Sequence, residues 1–147
     1  MRFRNIFILV FTLACSLTIS GCVTPPLGAA ALTREVPRLK VSMDCGDCQV
    51  RPNAPDLIVR GYTEAATKSG AKIDNAQEAA VSVKEYIARN DTARLLAGAF
   101  AGKDEIKAEV IFRDKSFAVE DYYRNAWLGI SELSQKIGEM IFEKIKQ

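Results

Sequence analysis

Histidine is absent from all 147 residues of the chain. Without an imidazole the protein cannot build a Ser–His–Asp triad, a Cys–His dyad or a histidine metal site. It also has no side chain whose ordinary pKa lies near neutral pH. These absences exclude the commonest catalytic and metal-binding arrangements, so we expect a protein that is not an enzyme and that holds no metal or other cofactor.

A clear excess of charge is also absent. The chain has 20 Lys and Arg residues against 18 Asp and Glu residues, and Arg2 and Arg4 lie in the first five positions. Beyond these two arginines the basic and acidic residues balance. Nucleic-acid-binding domains usually show a basic excess or stripe, so we expect no nucleic-acid partner.

The sequence lacks a hydrophobic run long enough to cross a bilayer. Residues 6–19 carry no charge, but a transmembrane helix needs about 20 apolar residues. A basic start, a short apolar run and then small residues are typical of a secretory signal peptide. The run ends at Ile19-Ser20-Gly21-Cys22, where a single cysteine follows two small residues.

This tetrapeptide resembles the lipobox of bacterial lipoproteins. The resemblance implies that residues 1–21 are a signal peptide, that cleavage makes Cys22 the first residue, and that Cys22 carries acyl chains such as palmitate. Cys15 is a rival site, but it would leave only about nine apolar residues, near the lower limit for a signal core. Val23, where an Asp would be the inner-membrane retention signal, favours the outer membrane, with the domain facing the periplasm.

After Cys22 the sequence predicts a tether over residues 22–36, rich in Pro, Gly, Ala and Thr, and a single periplasmic domain over residues 37–147. The predicted fold class is α+β, a small, mostly antiparallel sheet covered by two helices. The predicted elements are a strand at 38–43, a helix at 54–69, a strand at 79–89, a hairpin of 105–113 with 116–124, and a last helix from Ile130. Asn75 and Glu78 imitate a capping box, which leaves a helix as the alternative for residues 75–90.

The segment of residues 89–110 is similar to part of small uncharacterised bacterial lipoproteins, with a strand, a Gly/Ala-rich apolar turn ending in Gly-Lys, and another strand. The resemblance implies a small α+β domain and brings no catalytic residues with it.

Cys45 and Cys48 stand two residues apart in Asp-Cys-Gly-Asp-Cys. Outside the cytosol such a pair normally oxidises, so we expect a structural disulfide. The alternative is a thiol–disulfide redox site, which would require a thiolate stabilised at a helix N-terminus.

The apolar run of residues 95–103 contains Leu95, Leu96, Gly98, Phe100 and Gly102. Because exposed apolar patches are uncommon on monomers, we expect a buried connection between two strands. The alternative is a contact patch for a partner protein or for self-association.

Tyr122, Tyr123 and Trp127 lie close together before the last helix. We expect them to pack in the core or at a sheet edge, with ligand stacking as the alternative. The acidic pairs Asp104-Glu105 and Glu120-Asp121 do not converge on a substrate, because adjacent strand residues face opposite sides, and we expect both pairs to be solvated.

Together these features predict an acyl-anchored lipoprotein of the cell envelope that acts as a binding, scaffolding or assembly subunit. Its expected partners are the membrane, through the acyl chains, and an envelope protein or a second copy of itself. A thiol–disulfide redox protein and a small-ligand binder are the alternatives.

Overall fold

The computed structural model describes residues 34–147, and within them the chain forms four strands, three α-helices and one short 3-10 turn. The elements in chain order are β1 (Glu35–Met43), α1 (Ala54–Lys68), β2 (Lys72–Ile87), α2 (Asp91–Ala97), the 3-10 turn (Gly98–Ala101), β3 (Asp104–Phe112), β4 (Lys115–Tyr123) and α3 (Ile130–Ile145). The predicted α+β class is confirmed.

The strands form one sheet in the order β1-β2-β3-β4. β1 pairs in parallel with β2 because α1 carries the chain back between them, and the two remaining pairings are antiparallel. One face of the sheet is covered by α1 and α3, and the other is open to solvent, as antiparallel sheets allow.

The covered face holds the core. α3 repeats apolar residues at helical spacing, so one side of it packs on the sheet and on α1. Tyr62 in α1 is buried, and its hydroxyl donates a 2.7 Å hydrogen bond to the carbonyl of Pro37. The largest fully buried side chains are Tyr62, Phe142, Ile58, Ile106, Ile130, Leu133, Ile137, Ile141, Val81, Val83, Val110 and Val119.

Two glycines let α1 and α3 touch backbone to backbone. A Cβ on Gly61 would lie 2.0 Å from the carbonyl oxygen of Gln135, and one on Gly138 would lie 2.0 Å from that of Ile58. Real Cβ atoms do not approach backbone so closely, so this helix crossing requires glycine on both helices.

The strand interpretation of residues 75–90 is confirmed and the helix alternative is wrong. β2 begins at Lys72, earlier than predicted, and its register with β1 shifts between Pro37 and Arg38. At this bulge the Asp74 carboxylate accepts hydrogen bonds from the backbone of Ala76 and the side chain of Gln77. The apparent capping box is therefore part of a β-bulge, which tolerates such local side-chain hydrogen bonds.

β1 starts at Glu35, and Val36 is buried, so the predicted boundary between tether and domain falls inside the first strand. The predicted signal peptide, Cys22 and the tether up to residue 33 lie outside the described residues. Among residues 34–147, no helix combines the length and the apolar character that crossing a membrane requires.

Candidate interaction surface

Four large apolar side chains project from the end of the sheet where β2 and β4 finish. Leu95, Leu96, Phe100 and Trp127 are 68, 84, 98 and 87% exposed, and we call these four residues the apolar tip. The prediction of a buried connection through Leu95, Leu96 and Phe100 is wrong. α2 has only seven residues, none of them buried, and it lies beyond the sheet's last residue pairs, where neither helix layer covers it.

Gly98 and Gly102 stand at the two ends of the 3-10 turn. Gly98 opens the 3-10 turn that carries Phe100, and Gly102 ends it with φ of 91°, a conformation that favours glycine.

A buried ion pair holds the two segments of the tip in place. The Arg89 and Asp104 side chains are 3 and 1% exposed, and Arg89 Nη2 lies 2.7 Å from Asp104 Oδ2. The same guanidinium donates to the carbonyl of Asn125 at 2.9 Å and to those of Gly102 and Arg124 at 3.4 Å. One side chain thus fastens the end of the 3-10 turn to the loop after β4.

The expectation that Asp104 and Glu105 are solvated is wrong, since both are buried. They do face opposite sides of β3, as the strand alternation predicts. Asp104 turns inward to Arg89, and Glu105 lies on the open face beneath Lys103 and Lys107. Hydrogen bonding from Lys103 holds the pKa of Glu105 below its usual value.

Short polar side chains shape each segment of the tip. The Asn90 side-chain oxygen accepts the backbone N–H groups of Thr92 and Ala93 and so caps α2. The Asn125 side-chain oxygen likewise accepts the N–H groups of Trp127 and Leu128, at 3.0 and 2.6 Å. Trp127 is therefore presented by an Asx turn, a local motif that fixes the backbone.

Arg94 joins the two segments a second time. A Cβ on Gly129 would lie 1.7 Å from Arg94 Nη1, so the guanidinium of α2 packs directly on the backbone that precedes α3. Arg94 also pairs with Asp91 at 3.3 Å, and Arg51 approaches the same carboxylate at 2.9 Å. Arg94 therefore holds the α2 segment of the tip against the segment that precedes α3.

The three aromatic side chains predicted as a cluster do not share one face. Tyr122 is exposed on the open face of the sheet, with Lys103 Nζ at 5.8 Å and Arg124 Cζ at 5.5 Å from its ring centroid. Tyr123 packs against the core from the edge strand, and burial raises its pKa. Trp127 belongs to the apolar tip. The three rings therefore offer no common surface for one ligand, and ligand stacking stays a prediction.

Cys45 and Cys48 form a disulfide with a Cα–Cα distance of 5.6 Å. It lies in the connection after β1, and both residues pack partly against the core. α1 starts only at Ala54, so neither sulfur lies at a helix N-terminus, where a reactive thiolate would be stabilised. The location fits the structural role expected for the pair.

The open face of the sheet is charged and largely paired within itself. Arg38 pairs with Glu78 at 2.8 Å, and Lys107 pairs with Glu85 at 2.6 Å. Hydrogen bonding to Glu85 raises the pKa of Lys107. Residues 34–147 contain no group of three or more Cys, Asp or Glu side chains placed to hold a metal ion.

The sequence matches no protein-family model, and no curated protein matches it. The fold is similar to that of a variant PelC dodecamer from Paraburkholderia phytofirmans, with 11% identity, a TM-score of 0.48, and coverage of 78% of this chain and 86% of that one. It is also similar to a minor lipoprotein from Acinetobacter baumannii, with 13% identity, a TM-score of 0.35, and coverage of 76% of this chain and 94% of that one.

Proposed function

We propose that this protein is an acyl-anchored subunit of the cell envelope that binds another envelope protein through its apolar tip and performs no catalysis. The observation that carries this proposal is the exposure of four large apolar side chains, by 68 to 98%, on two segments that Arg89 and Arg94 hold together. Exposed apolar surface that the fold itself does not cover is typical of an interaction site.

The size of the tip sets the strength of such a contact. Fully burying a Leu or Phe side chain contributes about 1.5–3 kcal/mol, so four such side chains contribute roughly 6–12 kcal/mol. Association costs about 4–15 kcal/mol in lost freedom of motion. The tip alone therefore supports a weak or moderate contact, which needs a high local concentration of the partner.

Acylation of Cys22 would supply that concentration. Two or more acyl chains hold a protein stably at a membrane. Confinement to one membrane turns binding to a neighbouring envelope protein into a nearly intramolecular event. The lipobox sequence supports this anchor, and Val23 supports an outer-membrane location with the domain in the periplasm.

Rigid presentation strengthens the same contact. The Arg89–Asp104 pair and the Asn125 turn hold both segments of the tip before any partner arrives. The tip therefore loses less conformational entropy on binding than a disordered loop would lose.

In-cell photo-crosslinking tests the proposal. A photoreactive amino acid at Leu96 should give a discrete adduct with one envelope protein, identified by mass spectrometry. The matched control is the same probe at Ile111, a half-exposed apolar residue on the open face of β3. The Leu96 adduct should also disappear in a Cys22→Ala chain. Equal adducts from both positions, or none from Leu96, would contradict a binding role for the tip.

A further inference from the structure

β1 lies at one edge of the sheet, and within residues 34–147 only β2 pairs with it. The backbone N–H of Asp44, directly after β1, donates to the carbonyl of Val83 in β2 at 2.8 Å. Alternate residues of a strand bond to the same neighbouring strand. The backbone groups of Arg38, Lys40 and Ser42 therefore also face β2.

The backbone groups of Leu39, Val41 and Met43 consequently face the outer side of β1. Within the described part of the chain, no group hydrogen-bonds to their N–H or C=O. Earlier in the strand, the outward carbonyl of Pro37 is already satisfied by the hydroxyl of Tyr62. The second half of β1 thus presents a row of backbone donors and acceptors that another strand can use.

The opposite edge of the sheet is closed by side chains. Lys144 Nζ donates to the carbonyl of Ala118 in β4 at 3.0 Å, and the N–H of Tyr122 donates to the Asp121 carboxylate at 2.8 Å. Lys136 pairs with the same carboxylate at 2.6 Å. Charged side chains that occupy an edge in this way prevent pairing with another chain. The two edges therefore differ, and β1 is the open one.

The side chains of β1 would fit a neighbouring strand on both faces. Leu39, Val41 and Met43 lie on the covered face, packed against the core but still partly exposed. On the other face, the side chains of Arg38 and Asp44 are 55 and 63% exposed. An added strand could therefore bury apolar surface on one face and meet charges of both signs on the other.

We propose that β1 pairs antiparallel with β1 of a second copy of this chain, about a twofold axis at Val41. Leu39 then lies opposite Met43 of the second copy, so every outward N–H and C=O of these residues gains a partner. On the open face, Arg38 lies opposite Asp44 of the second copy at both ends of the paired segment. The two four-stranded sheets join into one continuous sheet.

The charges on the open face favour this pairing. Within one copy, Arg38 is held by Glu78 at 2.8 Å, and Asp44 pairs with Lys84. The antiparallel arrangement joins these two ion pairs into a row of alternating sign. Opposite charges directly across a strand pair stabilise it, and like charges destabilise it.

The neighbouring registers fit less well. An axis at Lys40 would place this lysine opposite itself and bring Pro37, which has no N–H, opposite Met43. An axis at Ser42 would move Leu39 beyond the end of the other strand and leave its backbone groups unpaired. The axis at Val41 is thus the register in which charge and backbone groups are both matched.

This inference goes beyond the proposed function, since it assigns self-association to the β1 edge, a surface separate from the apolar tip. In-cell photo-crosslinking of the full chain tests it, with two differently tagged copies expressed together. A photoreactive amino acid at Lys40, 74% exposed, should give an adduct that contains both tags and maps to residues 42–44 of the second copy. The matched control is the same probe at Glu120, exposed on the closed β4 edge. No adduct from Lys40, an adduct only with other proteins, or equal self-adducts from both positions would overturn the inference.

Val41→Pro separates pairing between copies from folding. The N–H that this substitution removes faces outward, so the hydrogen bonds between β1 and β2 remain, and edge strands tolerate proline at such positions. The self-adduct should fall at least tenfold, whereas circular dichroism should show an intact fold. The matched control Val41→Thr keeps the N–H and the branched side chain and should keep the adduct. An undiminished adduct in folded Val41→Pro would overturn the inference.

A charge exchange tests the register without altering the backbone. Asp44→Arg places a cation opposite Arg38 of the second copy, so the self-adduct should fall several-fold. Arg38→Asp/Asp44→Arg places opposite charges across the axis again and should recover it. Equal adducts in the wild type and both variants, or no recovery in the double variant, would overturn the proposed register.

Discussion

Arg89 shows how one side chain can hold a functional surface in place. Burying a guanidinium is costly unless a carboxylate and further acceptors compensate. Here Asp104 receives its Nε and Nη2 donors, at 3.0 and 2.7 Å, and backbone carbonyls receive the others. The planar fork of arginine matches this set of acceptors, and the single ammonium of lysine would not.

Removing that guanidinium should leave the Asp104 carboxylate buried without its partner. We expect Arg89→Met to lower the free energy of unfolding by about 3–5 kcal/mol, measured by chemical denaturation. The double variant Arg89→Met/Asp104→Leu should recover a substantial part of this loss, because no buried charge remains. If the single variant lost less than about 1 kcal/mol, the pair would not be the buried brace described here.

The sequence could not reveal this pair, since Asp104 lies fifteen residues after Arg89. Two adjacent acids at the start of a strand are usually solvated, and only the arrival of β2 beside β3 brings the guanidinium to Asp104. The Cys45–Cys48 pairing was predictable because both partners lie within four residues of each other, so local sequence decides the contact.

The disulfide closes a very short loop, so its effect on stability is bounded. The chain-entropy relation gives about 2 kcal/mol for a loop of four residues. We expect Cys45→Ala/Cys48→Ala to lower the free energy of unfolding by no more than about that amount and to leave the fold intact by circular dichroism. The native protein should react slowly with small thiols, and rapid exchange would instead favour the redox alternative.

At the scale of whole elements, the sequence predicts those helices whose apolar residues repeat at helical spacing. α3 was found from its apolar repeat, and Ile130, Leu133, Ile137 and Ile141 are buried as that repeat requires. The contact between α1 and α3 was missed. The apolar repeat does not mark Gly61 and Gly138 as the points where the two helix backbones meet. From the sequence alone, a glycine inside a helix indicates only a low helix propensity.

Gly138→Ala separates these two effects, because they have opposite signs. Intrinsic helix propensity would raise stability by about 1 kcal/mol. The added Cβ would lie 2.0 Å from the Ile58 oxygen and 2.6 Å from the Tyr62 nitrogen, so the helices must move apart. Overpacking costs about 1–3 kcal/mol or more, and with backbone on the other side we expect a net loss at the upper end of that range.

The matched control is Glu139→Ala, at the neighbouring exposed position of α3. It should change the free energy of unfolding by no more than about 0.5 kcal/mol in thermal or chemical denaturation. A Gly138→Ala protein as stable as the wild type would show that the helices cross with more room than the structure gives them.

The carboxylate of Glu105, at the start of β3, pairs with Lys103 and makes the free energy of unfolding depend on pH in the acidic range. Its pKa is lowered in the folded state, so between that value and the unfolded value of 4.5 the unfolded chain binds more protons. The stabilisation is fully present above pH 4.5 and is lost as the pH falls through the folded pKa. Glu105→Gln should therefore flatten the decline of unfolding free energy below about pH 5, measured by urea denaturation across pH. If the decline of unfolding free energy at low pH were the same in Glu105→Gln as in the wild type, Lys103 would not stabilise this carboxylate.

Across the whole molecule, the fold class was predictable and the exposed tip was not. Apolar runs in small domains are buried by default, and the sequence does not show where the helix layer stops covering the sheet. α2 follows β2 beyond that limit, so Leu95, Leu96 and Phe100 reach solvent. A domain that exposes these side chains bears a risk of aggregation unless a partner covers them.

Replacing Leu96 and Phe100 by serine tests whether the tip serves binding or folding. Both side chains are almost fully exposed, so the Leu96→Ser/Phe100→Ser protein should unfold within about 1 kcal/mol of the wild type. With a photoreactive amino acid at Leu95, its in-cell adduct should fall at least tenfold, because the main apolar contribution to the contact is gone. Ile111→Ser, on the open face, should keep both its stability and its Leu95 adduct. If the double variant instead lost several kcal/mol and kept its adduct, the tip would be part of the core and the partner would bind elsewhere.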